Sequence, residues 1–336
     1  MTLSPEQADA NRKAVRAAGD RTLDQYQEWM LTNAASHVMR AARQLGVVAC
    51  LRERQHTLED LGSKLSINQE KLLSLMDALV AIGFVEQYEH DYALARAGHL
   101  LCQDDEDLGD GRWARLSDRL RGGDAATEAY QHRLAATQWI HTSAAMQAAE
   151  ILDIGGASEP RGLRILDLGC GSAVWSCAMA HRDADSTVVA IDTAKALSRA
   201  RQMADSIGMG ERFATIESAP EVATLASQSF DLVVIAQQLS CRDDDDAARL
   251  LERAYESLNV GGRLVAPDFY AGPSRPGLNE ATAALALSLE TDGRARTLPE
   301  VRQMFVAAGL SSVQFTFLAA SREGLGMAVG TRPGKD

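Results

Sequence analysis

Short apolar runs alternate with longer amphipathic segments through the second half of this chain. The apolar runs, rich in β-branched and aliphatic residues, predict strands at 164–168, 187–191, 212–216, 230–236, 262–267 and 312–318. Between them, apolar residues recur at helical spacing and predict helices at 174–181, 194–207, 220–227, 244–258, 279–290 and 298–308. Regular alternation of the two elements is typical of the α/β class. It predicts a doubly wound, mostly parallel sheet with ligands bound at the carboxyl ends of its strands.

The first half of the chain has a mainly helical pattern. Residues 1–24 are charged and alanine-rich and predict a helix or a partly ordered arm, and apolar spacing predicts a long helix over 26–51. Thr57 and Ser66 begin two shorter helices, and the next residues, 84–94, predict a two-stranded wing. We therefore predict three regions: a winged-helix dimerisation and lid domain at 1–105, a helical connector at 106–160 and an α/β domain at 161–336.

Charge argues against a nucleic-acid role for the winged helix. The chain has 34 Lys plus Arg against 46 Asp plus Glu, a formal net charge of −12. In the second helix Lys71 is the single basic residue and is opposed by Glu70 and Asp77. Because nucleic acids and acidic membranes are bound through cationic surfaces, neither is an expected partner.

Composition sets further expectations. The five cysteines are scattered and lack a Cys-x-x-Cys pair, which argues against a disulfide framework or a zinc site. The acidic run 103–107 is expected to be a solvated linker, because consecutive carboxylates in a loop do not converge on one ion. The 336 residues contain no apolar run near the roughly 20 needed to span a bilayer and no apolar leader, so we expect a cytoplasmic protein. From the cysteines and the acidic run, we expect no bound metal.

The first α/β strand runs into Gly169 and Gly171, and a helix containing Trp175 follows. Glycines let the backbone approach a ligand, and the helix start offers free N–H groups. The second strand ends in Asp192, about 20 residues further on, where a carboxylate can accept hydrogen bonds from the ribose hydroxyls of an adenosine ligand.

These residues resemble the class I S-adenosylmethionine-dependent methyltransferases, and more narrowly the small-molecule O-methyltransferases with an N-terminal winged-helix dimerisation domain. The resemblance covers 29–330 and rests on the Leu166–Ser172 motif, Asp192, Phe230–Val234 and the Leu258–Leu264 turn. It implies a Rossmann-like fold, S-adenosylmethionine as cofactor, a small-molecule substrate, a homodimer and a role in secondary metabolism.

The resemblance also implies roles for individual residues. Asp167, Gly169 and Gly171 would cradle the methionine and ribose parts of the cofactor, and Asp192 would hold the ribose diol. Ala190, Ile191 and Thr193 would flank the adenine. The family has a Gly-Asp pair whose acid lies near the adenine amine; this chain departs from that pattern, so either Glu217 substitutes or backbone atoms serve instead. An aromatic face at Trp175 or Tyr130 would lie near the sulfonium, although packing of Trp175 against the sheet is the favoured interpretation.

One departure concerns the chemistry. The family usually places a histidine base after the fourth strand, and this chain has Ser240 there, within Gln237-Gln238-Leu239-Ser240. Serine cannot act as an unaided base near neutral pH, so neighbouring polar residues are considered with it. The candidate catalytic residues are therefore Ser240, Gln237, Gln238 and His141. His141 is also explained by an ordinary surface or hydrogen-bonded histidine.

Three functions remain open at this point. The first is methyl transfer to a small-molecule oxygen, nitrogen or carbon that needs little base assistance. The second is a reaction of the cofactor alone, in which its α-amine closes an azetidine-2-carboxylate ring and methylthioadenosine is released. A paucity of aromatic residues, 5% of the chain, and an alanine- and leucine-rich pocket segment at 278–289 favour a small pocket. The third is a non-catalytic cofactor-binding or regulatory protein.

Overall fold

A computed structural model describes residues 21–104, 109–122, 127–157, 161–225, 227–272 and 276–334. Most of the predicted N-terminal arm and of the acidic run lies outside these ranges. The chain divides into two compact units, Met1–Gly111 and Arg112–Asp336. The segment predicted as a separate connector falls into the second unit for most of its length.

The first unit has the predicted order of helices followed by a wing. Its helices are Thr22–Gln44, Val47–Glu53, Leu58–Leu65, Gln69–Ile82 and Arg96–Asp104. Gly46, with a φ of +84°, separates the first two helices within the span predicted as one. Its three strands are β1 (His56–Thr57), β2 (Val85–Tyr88) and β3 (Asp91–Leu94), with β3 in the middle and antiparallel to both others. The wing is thus confirmed, with one additional short strand.

The second unit is built on a seven-stranded sheet. Its strands are β4 (Arg164–Leu168), β5 (Thr187–Asp192), β6 (Phe213–Glu217), β7 (Phe230–Val234), β8 (Leu258–Asp268), β11 (Ser311–Phe317) and β12 (Gly326–Thr331). The short strands β9 (Tyr270–Ala271) and β10 (Arg296–Thr297) pair separately. The sheet order is β11-β12-β8-β7-β4-β5-β6. β12 is antiparallel to β8 and β11, whereas the other pairs are parallel, so the mostly parallel sheet is confirmed.

Helices pack on both faces of this sheet. The helices from residue 110 onward are Asp110–Trp113, Leu116–Leu120, Thr127–Thr137, Thr142–Ile151, Val174–His181, Ala194–Ser206, Asp244–Ser257, Leu278–Glu290 and Leu298–Ala307, with a 3-10 turn at Gln138–His141 and another at Gly210–Arg212. Successive strand residues point to opposite faces. Ile165 of β4 accordingly joins one apolar core, and its neighbour Leu166 joins the other. Two-sided burial explains why the central strands β4 and β7 read as mostly apolar runs.

Two sequence predictions are wrong. Residues 220–225 form turns and irregular chain instead of the predicted helix 220–227, because the few apolar residues in this short segment give too little packing to stabilise a helix. β12 was not predicted, because Gly326 and Gly330 interrupt its apolar run. The sheet edge beyond β8 is therefore a β-hairpin-like antiparallel pair, β11 and β12.

Candidate functional site

The glycine turn connects the central strand β4 to helix Val174–His181. Gly169 and Gly171 have φ values of +75° and +56°, in the left-handed region that favours glycine. Ala173 adopts the same region, at +57°, immediately before the helix. A Cβ on Gly169 would lie 2.4 Å from the side-chain amide of Gln238, and one on Gly171 would lie 2.7 Å from Oε1 of Gln138. The turn therefore requires glycine at both positions for conformation and for space.

Asp167 is the buried acid of this turn. Its Oδ2 accepts a hydrogen bond from the Ser176 hydroxyl, whereas its Oδ1 is buried without a hydrogen-bond partner among the described residues. Burial raises the pKa of Asp167 to about 7, and the nearby Asp192 carboxylate adds to this rise. A buried carboxyl oxygen without a donor fits a ligand that carries hydroxyl or ammonium groups.

Asp192 lies at the carboxyl end of the neighbouring strand β5. Its Oδ2 accepts the Gly171 N–H at 2.9 Å and its Oδ1 accepts the Thr193 N–H at 2.7 Å. Burial raises its pKa, and these two hydrogen bonds oppose the rise. Thr193 begins the next helix as its N-cap, and the exposed Glu217 on β6 pairs in register with Asp192. The four residues expected near the ribose and adenine, Gly171, Asp192, Thr193 and Glu217, are thus adjacent.

Gln238 braces the glycine turn. Its Nε2 donates to the Gly169 carbonyl at 2.9 Å, and its Oε1 accepts a hydrogen bond from the Arg242 guanidinium. Arg242 in turn pairs with Glu221. Because both ends of the Gln238 amide are used within the protein, this side chain has a structural function in the site.

A chain of amides leads from the glycine turn to His141. The Ser172 N–H donates to Oε1 of Gln138 at 3.0 Å, and Nε2 of Gln138 donates to Oε1 of Gln237 at 3.4 Å. Nε2 of Gln237 then lies 3.3 Å from Nε2 of His141. Since a backbone N–H can only donate, the first bond fixes the orientation of both amides. The amide of Gln237 therefore donates, and neutral His141 accepts at Nε2 and carries its hydrogen on Nδ1.

The surroundings of His141 keep it neutral. The ring is stacked on Trp175, with 6.0 Å between ring centroids, and only 5% of the residue is exposed. Burial lowers the pKa of His141 to about 4. Trp175 itself is fully buried, and its indole N–H has no hydrogen-bond partner among the described residues. Gln237 has a φ of +57°, an uncommon conformation for a residue with a side chain, directly beside this ring.

His141 also lines a cavity of about 350 Å³. Its apolar wall includes Trp113, Ile140, Ala283 and Ala286. Polar and charged groups complete the lining, namely Arg112, Asn279, Thr282, Arg322 and Glu323. Several of these residues come from helix Leu278–Glu290, the segment that the sequence marked as a pocket wall. Cavities of roughly 300–1,000 Å³ suit small organic ligands.

Ser240 lies apart from this cavity lining and is bonded to a different acid. Its hydroxyl and its N–H both donate to Asp268, which also accepts the N–H groups of Leu239 and Phe269. Asp268 is fully buried, and burial raises its pKa against the effect of these hydrogen bonds. The loop after β7 is therefore anchored through Ser240.

The structure thus divides the four candidate catalytic residues. His141 and Gln237 are hydrogen-bonded neighbours beside the cavity, whereas Gln238 and Ser240 brace backbone segments. Tyr130 is buried against Leu134, Cys241 and Leu287 and is not one of the residues that line the cavity.

Sequence reasoning missed Asp268 and Glu323. Asp268 could have been found as the carboxylate at the end of a predicted strand. Glu323 lies in the β11–β12 loop, outside any motif.

Two searches of the described residues gave no candidates. No helix in the described ranges combines the length and apolar character that a membrane span requires. No group of three or more His, Cys, Asp or Glu side chains in those ranges is arranged to hold a metal ion.

Comparison with known proteins identifies both parts of the chain. Residues 165–262 match the family profile described as a methyltransferase domain, and residues 28–104 match an O-methyltransferase dimerisation domain. Among curated proteins, ribosomal RNA large subunit methyltransferase G from two strains of Pseudomonas putida is 34% identical over 125 residues, which is 34% of this chain. The match spans about a third of the length of these relatives, 33%.

Solved structures with the same fold cover nearly the whole chain. Mitomycin 7-O-methyltransferase has a TM-score of 0.70 at 18% identity, with 95% of this chain and 99% of the other covered. Human N-acetylserotonin methyltransferase, solved in complex with S-adenosylmethionine, has a TM-score of 0.70 at 17% identity, with 94% and 99% covered. With both domain profiles and the strand order in agreement, the chain combines an S-adenosylmethionine-dependent methyltransferase domain with an N-terminal O-methyltransferase dimerisation domain.

Proposed function

We propose that this protein transfers the methyl group of S-adenosylmethionine to a small molecule of secondary metabolism, without the usual histidine base at position 240. The observation that carries the proposal is the glycine turn, where the unpaired Oδ1 of Asp167 and the carboxylate of Asp192 flank a backbone that tolerates no Cβ. These groups suit a ligand with an ammonium and a ribose diol.

The residues of the turn have separable tasks in this proposal. When bound, S-adenosylmethionine supplies an electrophilic methyl group. Asp167 accepts a hydrogen bond from the methionine or ribose part, Asp192 accepts from the ribose hydroxyls, and Glu217 and Thr193 flank the adenine. Gln238 keeps the turn in its binding conformation. Holding both reactants in one geometry is expected to supply much of the rate.

The adjoining cavity is our candidate for the acceptor site. It borders His141, which contacts Gln237 and Trp175 and so connects the cavity to the helix after the glycine turn. Its mixed lining favours a small ring compound with polar substituents over a polynucleotide. The net charge of −12 supports the same choice.

A second candidate function is cyclisation of S-adenosylmethionine itself. It is favoured by the buried group of Gln138, Gln237, His141 and Trp175, which offers amides to orient an amine and an aromatic face for a sulfonium. In that reaction the α-amine nitrogen forms a bond to Cγ, the Cγ–sulfur bond breaks with its electrons going to sulfur, and the amine loses a proton. Methylthioadenosine leaves.

One experiment separates the two functions. The purified protein is incubated with S-adenosylmethionine, alone and with a panel of phenols, hydroxyquinones and aromatic amines, and products are identified by mass spectrometry. Methyl transfer predicts S-adenosylhomocysteine and a methylated product that depend on the acceptor. Methylthioadenosine and a cyclic amino acid from the cofactor alone would replace our proposal with cyclisation.

We also propose a homodimer formed through the N-terminal unit. Helix Thr22–Gln44 exposes a row of large apolar side chains, and the dimerisation-domain match begins within this helix. Tyr26, Trp29 and Leu31 are 59%, 70% and 69% exposed. Such a surface is typical of a subunit interface. Sedimentation equilibrium should give a dimer for the wild type and a monomer for Trp29→Asp, and a monomeric wild type at micromolar concentration would contradict the proposal.

We propose the cytoplasm as the location. All five cysteines are buried and none forms a disulfide bond in the structure, which fits a reducing compartment. Mass measurement of the alkylated native and unfolded protein should detect five free thiols only after unfolding.

A further inference from the structure

A methyl acceptor with a hydroxyl group must lose a proton, and Ser240 is unsuited to receive it. Its hydroxyl donates to the fully buried Asp268, and Ser240 itself is 2% exposed. Asp268 already accepts four hydrogen bonds, from Leu239, Ser240 and Phe269. The position that holds the base in related enzymes is therefore used for anchoring a loop.

His141 is also a poor proton acceptor, although it lines the cavity. The amide chain from Ser172 through Gln138 and Gln237 directs an N–H at its Nε2. That bond occupies the lone pair of the neutral ring, and the remaining nitrogen carries a hydrogen. His141 is thus unsuited to take up a proton at Nε2 while this bond is in place.

Glu323 remains as the acidic group of this cavity. Among the described residues of the lining, it provides the single carboxylate. Its side chain is 34% exposed, and its Oε2 lies 3.7 Å from Nε2 of His141, too far for a hydrogen bond. Burial raises the pKa of Glu323, while the Arg112 guanidinium opposes that rise. A carboxylate with a raised pKa is a better base than an ordinary surface glutamate.

The loop that carries Glu323 is held in place. The Ser321 hydroxyl accepts the N–H groups of Glu323, at 3.3 Å, and of Leu325, at 3.1 Å. Gly324 has a φ of +74°, and a Cβ there would lie 2.6 Å from the Glu280 side chain. The backbone around Glu323 is therefore fixed by a hydroxyl bridge and by a glycine that this conformation requires.

We propose that Glu323 accepts the proton of the acceptor hydroxyl during methyl transfer, an inference that rests on the proposed function. The acceptor oxygen forms a bond to the methyl carbon, the carbon–sulfur bond breaks with its electron pair going to sulfur, and the hydroxyl proton passes to the Glu323 carboxylate. The substrate class is accordingly a small ring compound with a hydroxyl that is protonated at neutral pH.

The test compares Glu323→Gln with the wild type on three acceptors of two acidities. We use catechol and 1-naphthol, which are protonated at pH 7, and the more acidic 4-nitrophenol, which is about half ionised there. Glu323→Gln should lower kcat for the protonated phenols by about 10²-fold or more. The loss should be below about tenfold for 4-nitrophenol, since that acceptor needs little base assistance.

The pH profile is a second readout. Wild-type kcat should rise with pH as Glu323 ionises. The other charged or titratable groups around Glu323 are His141, Arg112, Arg322 and the buried Tyr130. In Glu323→Gln it should follow the ionisation of the acceptor instead. Affinity for S-adenosylhomocysteine, measured by calorimetry, should be unchanged in the variant and shows that it is folded.

Glu252→Gln is the matched control, because Glu252 is an exposed glutamate on helix Asp244–Ser257 outside this cavity. It should retain wild-type kcat. An equal loss of kcat on all acceptors, or an unchanged kcat in Glu323→Gln, overturns the role of Glu323 while methyl transfer stands. A wild-type protein that methylates none of the panel counts against the proposed function, and the inference falls with it.

Discussion

Gly169→Ala should damage the cofactor site far more than an alanine at a glycine of the same backbone conformation. Gly169 and Gly208 have φ values of +75° and +72°. A Cβ on Gly208 meets no atom within 4 Å, whereas one on Gly169 lies 2.4 Å from the Gln238 amide. Gly208→Ala is therefore a control for backbone strain alone.

The expected difference follows from the hydrogen bonds of Gln238. Left-handed strain costs each variant about 1–2 kcal/mol. In Gly169→Ala the buried Gln238 must also move, and it would lose its bond to the Gly169 carbonyl and the charge-assisted bond from Arg242. One neutral and one charge-assisted bond together stabilise by about 2–4 kcal/mol. Gly169→Ala should thus be less stable than Gly208→Ala by about that amount.

Urea unfolding without ligand measures this difference, and calorimetry with S-adenosylhomocysteine measures its effect on the site. We expect at least a tenfold loss of affinity in Gly169→Ala and wild-type affinity in Gly208→Ala. If the two variants have equal unfolding free energies, Gln238 does not brace the turn as we infer.

Three further predictions concern the acids and Ser240. Asp192→Ala should weaken S-adenosylhomocysteine binding by about 1.5–3 kcal/mol, as for lost charge-assisted hydrogen bonds, and an unchanged Kd by calorimetry would mean that the ribose site is elsewhere. Ser240→Ala should lower the free energy of unfolding by about 1–3 kcal/mol, because buried Asp268 loses a donor, with methyl transfer slowed only a few-fold; a large loss of rate in a stable variant would restore Ser240 as a catalytic residue. Because the folded pKa of Asp167 is about 7, above the unfolded value of 3.8, its contribution to ligand-free stability is present below about pH 4 and is lost as pH rises to 7. Urea unfolding at pH 5 and pH 7 should therefore show a decrease relative to Asp167→Asn, and parallel curves for the two proteins would contradict it.

The sequence predicted the fold well, because each element carries its own local signal. Both faces of the central strands are covered, so β4 and β7 read as mostly apolar runs. Capping residues such as Thr57 and Thr297 fix helix starts over a few residues. The strand β12 was missed because its glycines weaken the pattern, and its pairing with β8 comes from residues more than 50 positions away.

By itself, the sequence determined that the residues predicted to bind the cofactor lie together, because the glycine turn and Asp192 lie at the ends of adjacent strands whose order follows from the α/β pattern. Only the tertiary structure decided the use of the catalytic candidates. His141, Gln237 and Glu323 are far apart along the chain, and the packing of the 3-10 turn against Trp175 brings His141 to the cavity. Hydrogen bonding then separated residues that look alike in sequence. Gln237 continues an amide chain to His141, whereas its neighbour Gln238 holds the glycine turn and Ser240 holds Asp268, because the backbone after β7 directs successive side chains to different partners.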